Sequence, residues 1–354
     1  MSGLRIVALA LACALALPVC AQDAKPNNDD MMEAPPVAAP REGYWADVLA
    51  HDPVMAQQGD TFYLFVTGPG ITVYSSKDMR KWKAEPPVFA RIPDWAYEIV
   101  PKFNGHVRAP DISFHDGTYY LYYSISSGGR NTSAIGVATN TTLDAGDPAF
   151  KWVDHGIVLR SVPHRDFWNA IDGNLVEDDD GAAWLAFGSF WGGLKLVKLR
   201  EDRLGLAEPQ QWHTLAKRER SILVDDAMPE PGAIEAPFLF KRDGWHYLFA
   251  SFDHCCRGAK SDYRIMVGRS RDLQGPYLDR DGKRMDQGGG SEVLRGTARW
   301  PGPGHNSAYT FDGKDWLVFH AYDVEDGGLP KLKVLPIEWD GEGWPVVDSA
   351  SLEQ

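Results

Sequence analysis

The 354-residue chain has little cysteine, no excess of basic charge, no second long apolar run and no sustained helical periodicity. Of four cysteines, Cys13 and Cys20 fall in the first twenty residues and Cys255 and Cys256 are adjacent. A disulfide framework is therefore excluded, and a chain this long can bury a core without one. The adjacent pair is compatible with a vicinal disulfide in an oxidising compartment or with two reduced thiols. A metal site using His254, Cys255 and Cys256 has the wrong spacing for tetrahedral ligation. Lys and Arg total 36 against 49 Asp and Glu, a formal net charge of −13. Such a surface repels phosphate backbones, which excludes a nucleic-acid partner. The lack of a second apolar run excludes a multi-span membrane protein. No helical stretches alternate with strands, and 24 Pro and 35 Gly disfavour long helices. No Walker loop, dinucleotide glycine pattern or zinc-helix motif stands in its required context, and Gly288-Gly289-Gly290 lacks a strand–helix frame.

At the N-terminus, Arg5 precedes an apolar run that ends in Pro18-Val-Cys-Ala21. This pattern predicts a signal peptide over residues 1–21, cleaved after Ala21, and hence a secreted or periplasmic protein. Val19 is a poor fit to a lipid anchor at Cys20. Residues 22–43 are polar and Pro/Ala-rich and read as a flexible leader. The remainder, residues 44–354, shows no internal linker and reads as one domain and a monomer.

Aromatics are plentiful, with 13 Trp, 13 Tyr and 15 Phe, and they recur in register. Five times a turn pair precedes an aromatic strand: Gly59-Asp60, Asp116-Gly117, Asp180-Gly181, Asp243-Gly244 and Asp312-Gly313. Four are Asp-Gly, a strong hairpin signal. Upstream of each lies a polar motif: His51-Asp52-Pro53, Ala109-Pro110-Asp111, Ile171-Asp172-Gly173, Ile234-Glu235-Ala236-Pro237 and Gly304-His305-Asn306. Their key residues are spaced by 59, 61, 63 and 70 positions. Five units of about four strands predict an all-β, five-bladed β-propeller.

In a propeller the first strand of each blade lines the central channel. Asp52, Asp111, Asp172, Glu235 and His305 are thus expected to ring one end of it. Such crowded carboxyl groups shift one another's pKa values and mark functional sites. Glycoside hydrolysis needs two of them, one protonated and one ionised. The apolar setting of Glu235 suits the acid, and the polar setting of Asp52 beside His51 suits the base. Asp172 is placed to orient the acid and tune it by repulsion. The acidic run Glu177–Asp180 reads as a solvated turn, and His246 and His254 as satisfied polar positions.

The segments HDPV, RAPDI, NAIDG, IEAPF and GPGHN, with YLFVTGPGITVYSSKD and FGSFWGGLKL, resemble glycoside hydrolase family 43 and, within it, the arabinanases. The resemblance covers nearly all of the chain beyond residue 44. It implies an inverting five-bladed propeller hydrolase acting on α-1,5-linked L-arabinan. Asp52 then matches the base, Glu235 the acid and Asp172 the residue that modulates it. His305 matches a histidine near a central ion, often calcium and held largely through water. Asn169 and Ser189 match residues that contact arabinose, and His51, Arg108, Asp111 and Phe190 join the expected substrate-binding set. Phe190 and Trp191 are open to either stacking or blade packing. Arg108 stands where the family usually has Trp, and Gly173 where it usually has Pro. An exo-acting α-L-arabinofuranosidase or β-xylosidase of the family, and a non-catalytic carbohydrate-binding propeller, stay open. Inversion requires the base and acid to stand about 6.5–9.5 Å apart.

Overall fold

A computed structural model describes residues 46–100, 103–221, 223–225 and 228–353, so the expected signal peptide and leader lie outside the described residues. The repeat becomes five antiparallel sheets. Blade 1 comprises Val54–Gln58, Thr61–Val66, Thr72–Ser76 and Lys83–Glu85. Blade 2 comprises His106–His115, Thr118–Ser126, Ser133–Asn140 and Val153–Ser161. Blade 3 comprises Asn174–Glu177, Ala183–Phe187, Leu194–Lys198 and Trp212–Ala216. Blade 4 comprises Ile234–Arg242, Trp245–Phe252, Arg264–Ser270 and Ser291–Arg295. Blade 5 comprises Gly304–Phe311, Lys314–Asp323 and Leu329–Pro336. The longest helix among the described residues is Asp94–Ile99.

The turn pairs form the expected hairpin tips. Asp116-Gly117, Asp243-Gly244 and Asp312-Gly313 are left-handed at both positions, as two-residue hairpins with right-handed strand twist require. The third pair departs. Glu177 pairs with Ala183 across a longer loop in which the Asp178 carboxylate accepts bonds from the amides of Asp180 and Ala182.

Alternation along the strands sends side chains to both faces of each blade, and an apolar cluster fills each of the five gaps. Phe65, Leu121 and Tyr123 meet between blades 1 and 2. Tyr122, Ile135 and Leu185 meet between blades 2 and 3. Trp184, Leu196 and Leu248 join blades 3 and 4, and Phe249, Val267 and Phe319 join blades 4 and 5. Met55, Leu64 and Val318 close blade 5 onto blade 1.

One expectation is corrected here: blade 5 does not draw four strands from its own unit. Val48–Ala50 lies along Pro330–Leu332 as the outer strand, with Ala50 N donating to Pro330 O at 3.2 Å and Leu332 N to Val48 O at 3.0 Å. Buried Lys331 pairs with Asp47 at 2.7 Å and Asp326 at 2.6 Å. The two ends of the domain thus zip into one sheet, which covers the edge that blade 5 would otherwise expose. A chain beginning at His51 loses two hydrogen bonds and the burial of Val48, about 4 kcal/mol in all. Its thermal midpoint should lie about 6 °C below that of a chain beginning at Gly43, as scanning calorimetry would show.

Candidate active site

Each blade begins with the same backbone device. Asp52, Ala109, Asp172, Ala236 and His305 are left-handed, with φ of 54°, 44°, 60°, 56° and 48°. In blades 2, 4 and 5 the register breaks between Arg108 and Asp111, Glu235 and Phe238, and Gly304 and Ser307. Such bulges bend the strand and re-aim its side chains. Asp52, Asp172 and His305 therefore occupy equivalent positions. Glu235 and Arg108 come one residue earlier, and Asp111 lies two residues beyond Ala109.

A side chain of the preceding blade anchors four of these amides. Ala109 N donates to Thr67 Oγ1 at 2.8 Å, Asp172 N to Ser124 Oγ at 3.0 Å, His305 N to Ser251 Oγ at 2.8 Å and Asp52 N to His320 Nδ1 at 3.2 Å. Thr67, Ser124, Ser251 and His320 all lie seven residues beyond the turn residues Asp60, Gly117, Gly244 and Gly313. The equivalent in blade 3 is Gly188, which has no side chain to accept. The Ala236 amide turns instead to Asp172 Oδ2 at 3.2 Å, which ties that carboxyl to the residue following Glu235.

Asp52 is buried and fully partnered. Its Oδ1 meets His51 Nδ1 at 2.7 Å and His305 Nδ1 at 3.0 Å, and its Oδ2 accepts from Thr67 Oγ1 at 2.6 Å. Burial alone would raise its pKa, but His305 and His51 outweigh that and hold it well below the usual carboxylate range. The converse acts on His305. Burial opposes its charge, yet Asp52, Asp172 and Glu235 push its pKa up to about 9. His320, stacked on His51 at 4.1 Å, is buried and kept neutral.

Asp172 moves the other way. Burial raises its pKa; His305 opposes the rise, and repulsion from Glu235 and Asp52 adds to it. Glu235 is held on both oxygens, by Tyr263 Oη at 2.6 Å and Ser189 Oγ at 2.8 Å. Nothing in the sequence alone singled out Tyr263. The available signal was Gly304 in the GPGH segment: a Cβ there would lie 2.0 Å from the Tyr263 ring, so only glycine lets that ring reach Glu235.

The other expected residues divide. Arg108 is half-buried with Asp52 and Asp172 acting on its guanidinium, and burial lowers its pKa against them. Ser189 is on Glu235, and Asn169 is buried with an unpartnered Oδ1. Phe190 is half-buried with its ring 6.2 Å from His254, whereas Trp191 is buried. A Cβ at Gly173 would lie 3.3 Å from Leu185 and 3.4 Å from Ile135, so there is little room there for a larger residue. Asp111 does not join the ring as expected. Both its oxygens are committed to blade 3, accepting from Asn174 Nδ2 at 3.0 Å and Leu175 N at 2.8 Å. Asn174 Oδ1 in turn accepts from Leu239 N at 2.8 Å, so Asp111 works as a tie between blades. Burial raises its pKa to about 6. Cys255 and Cys256 are joined to each other.

Calcium takes six to eight oxygen ligands. His305 offers a nitrogen ring already paired with Asp52, and the candidate ion-holding groups among the described residues are His51–Asp52–His320 and His51–Cys255–Cys256. These direct donors, mostly nitrogen and sulfur with one carboxylate, do not match the several oxygens that calcium prefers.

A propeller whose axis gathers Asp52, Asp172 and Glu235 around one imidazolium has the making of a glycosidase. The family model for glycosyl hydrolases family 43 matches residues 46–345, and the chain belongs to that family. It is 55% identical to an extracellular exo-α-(1→5)-L-arabinofuranosidase of Cellvibrio japonicus, over 86% of this chain and 88% of the relative. It is 40% identical to an extracellular endo-α-(1→5)-L-arabinanase of Bacillus subtilis, over 87% and 91%. Among solved structures it resembles a Cellvibrio cellulosa α-L-arabinanase complexed with arabinohexaose, with a TM-score of 0.86, 55% identity and coverage of 87% and 98%. No described helix is long and apolar enough to cross a membrane.

Two outcomes follow. His305→Asn removes the imidazolium from Asp52, raises the Asp52 pKa and moves the acidic limb of the kcat/KM profile to higher pH. Tyr263→Phe removes one of the two hydroxyl contacts that hold the Glu235 carboxyl, and kcat should fall about tenfold in a chain with unchanged circular dichroism.

Proposed function

We propose that this chain hydrolyses α-1,5-linked L-arabinan with inversion, outside the cytoplasm and as a monomer. Asp52 acts as general base, Glu235 as general acid and Asp172 as the residue that orients Glu235 and keeps a proton at the pair. The observation that carries this reading is the opposite electrostatic treatment of neighbouring carboxyl groups. His305 and His51 keep Asp52 ionised, while burial and repulsion resist ionisation at Asp172. Carboxyl groups driven apart in one pocket divide acid from base work. Asp52 takes a proton from water as it attacks the anomeric carbon, and Glu235 protonates the departing sugar oxygen. Ser189 and Tyr263 fix the Glu235 carboxyl for that transfer, and Asp172, which accepts from the Ala236 amide, steadies the backbone next to Glu235. Arg108 and the free Asn169 Oδ1 serve sugar hydroxyls.

The substrate rests on the arabinan linkage in the relatives' names. Attack from the chain end is favoured, because identity to the exo-acting relative is 55% against 40% for the endo-acting one.

Glu235→Gln should slow hydrolysis of linear arabinan by roughly 10²–10⁴ with KM little changed. Asp172→Asn removes one carboxyl of the pair and with it the mutual repulsion that resists ionisation there, so the catalytic proton is lost sooner and the alkaline limb moves to lower pH. Early products followed by proton NMR should carry the inverted anomer. Chromatography should show short products from the outset and slow loss of viscosity. Retained configuration would overturn the assignment of Asp52, and a rapid fall in viscosity would place the enzyme with the endo-acting relatives.

A further inference from the structure

On the far side of His51 from Asp52, the wall carries sulfur. His51 Nδ1 faces Asp52 Oδ1 at 2.7 Å, and its other ring nitrogen, Nε2, lies 3.2 Å from Tyr322 Oη and 3.6 Å from Cys256 Sγ. The Cys256 amide donates to Tyr322 Oη at 2.7 Å, which fixes the backbone beside the histidine. The donor atoms of His51, Cys255 and Cys256 all lie within 4.8 Å of one another, and all three residues are half-buried, within reach of solvent. None of the chemistry assigned above uses the two sulfurs.

Two features go beyond proximity. A tetrahedral zinc with bonds of about 2.3 Å to sulfur and about 2.0 Å to nitrogen sets those donors about 3.6 Å apart. His51 Nε2 and Cys256 Sγ already have that separation. Metal-ligating histidines also donate their second N–H to a carboxylate, which fixes the ring and turns the other lone pair outward. Asp52 is placed to serve as that carboxylate, its Oδ1 standing 2.7 Å from His51 Nδ1. Thiolate and imidazole together select soft or borderline cations such as zinc and cadmium.

We infer that, once reduced, Cys255 and Cys256 join His51 as a three-donor site for one thiophilic divalent cation, and that filling it silences Asp52. The sulfurs are joined in the structure. A phosphine reduces them: it is oxidised to its oxide with the oxygen of one water, and the sulfurs receive two electrons and that water's two protons. The cation then displaces both protons, binding two thiolates and the His51 Nε2 lone pair, with water in the fourth position. The bound cation fixes the His51 ring, whose Nδ1 stands 2.7 Å from Asp52 Oδ1, and sets a positive charge with its own water on the wall beside that carboxylate, where it competes for the water that Asp52 activates. This loss of activity rests on Asp52 being the base; the site itself does not.

The test titrates cadmium chloride into the full chain after phosphine treatment and removal of the reductant. It follows the ultraviolet thiolate-to-cadmium band, the heat of binding and arabinan hydrolysis together. One cadmium per chain should bind through Cys255 and Cys256 and cut hydrolysis at least tenfold, with recovery on adding EDTA. The unreduced chain and Cys255→Ser/Cys256→Ser should keep their activity in cadmium. The variant also reports any band from Cys13 and Cys20, to be subtracted. Equal binding by the reduced chain and the double variant overturns the site, as does tight binding by the unreduced chain. Binding to the pair with undiminished hydrolysis overturns the link to Asp52. Asp52→Asn run in parallel separates that result from failure of the base assignment, since only the latter leaves this variant active.

Discussion

The structure depends on a balance of buried charge at the propeller axis. Asp52, Asp172 and Glu235 are all withdrawn from water, and the cations facing them are the His305 imidazolium and the Arg108 guanidinium. Burying an ionised carboxylate without a partner costs far more than a domain's margin of stability, so such groups pair or take up a proton. Here both responses occur. Asp52 takes the short contacts to His305 and His51 and stays ionised, while Asp172, with an amide and no ion pair among the described residues, is driven toward its neutral form. The division of labour between carboxyl groups follows from which one the imidazolium touches.

That placement is a property of the backbone. Five residues at the blade starts adopt a left-handed conformation that costs a non-glycine residue roughly 1–2 kcal/mol. Four of them are anchored by a side chain at the same place in the preceding blade. In the remaining case Gly188 replaces the acceptor, and the spare amide of Ala236 recruits Asp172. A single break in the repeat thus brings Asp172 against the residue next to Glu235. The five-fold frame supplies rigidity, and its one irregularity supplies the site.

Much of this was legible in the sequence, because hairpins signal locally. The Asp-Gly pairs and the aromatic strands behind them give the blade count directly, and the recurring motifs give Asp52, Asp172, Glu235 and His305. What was not legible depends on contacts between distant segments. The outer strand of blade 5 comes from Val48–Ala50, across almost the whole length of the chain, and no local pattern announces it. Asp111 was aligned with the other acids by charge, whereas the backbone aligns Ala109 with them, so that carboxyl became a tie between blades. Tyr263 belongs to no motif, and its importance shows only once Gly304 is seen to make room for its ring. Cys255 and Cys256 are adjacent in sequence, but their nearness to His51 is set by the closing of blade 5 onto blade 1.

The most direct measurement is a nitrogen-15 NMR titration of the histidine side chains, with His305 assigned by comparison with His305→Asn. If the charge balance described above is right, the His305 ring carries both protons at pH 7 and releases one only near pH 9, while His320 stays neutral throughout. A His305 ring that is already neutral at pH 7 would leave Asp52 without its counter-charge and contradict the account at its centre.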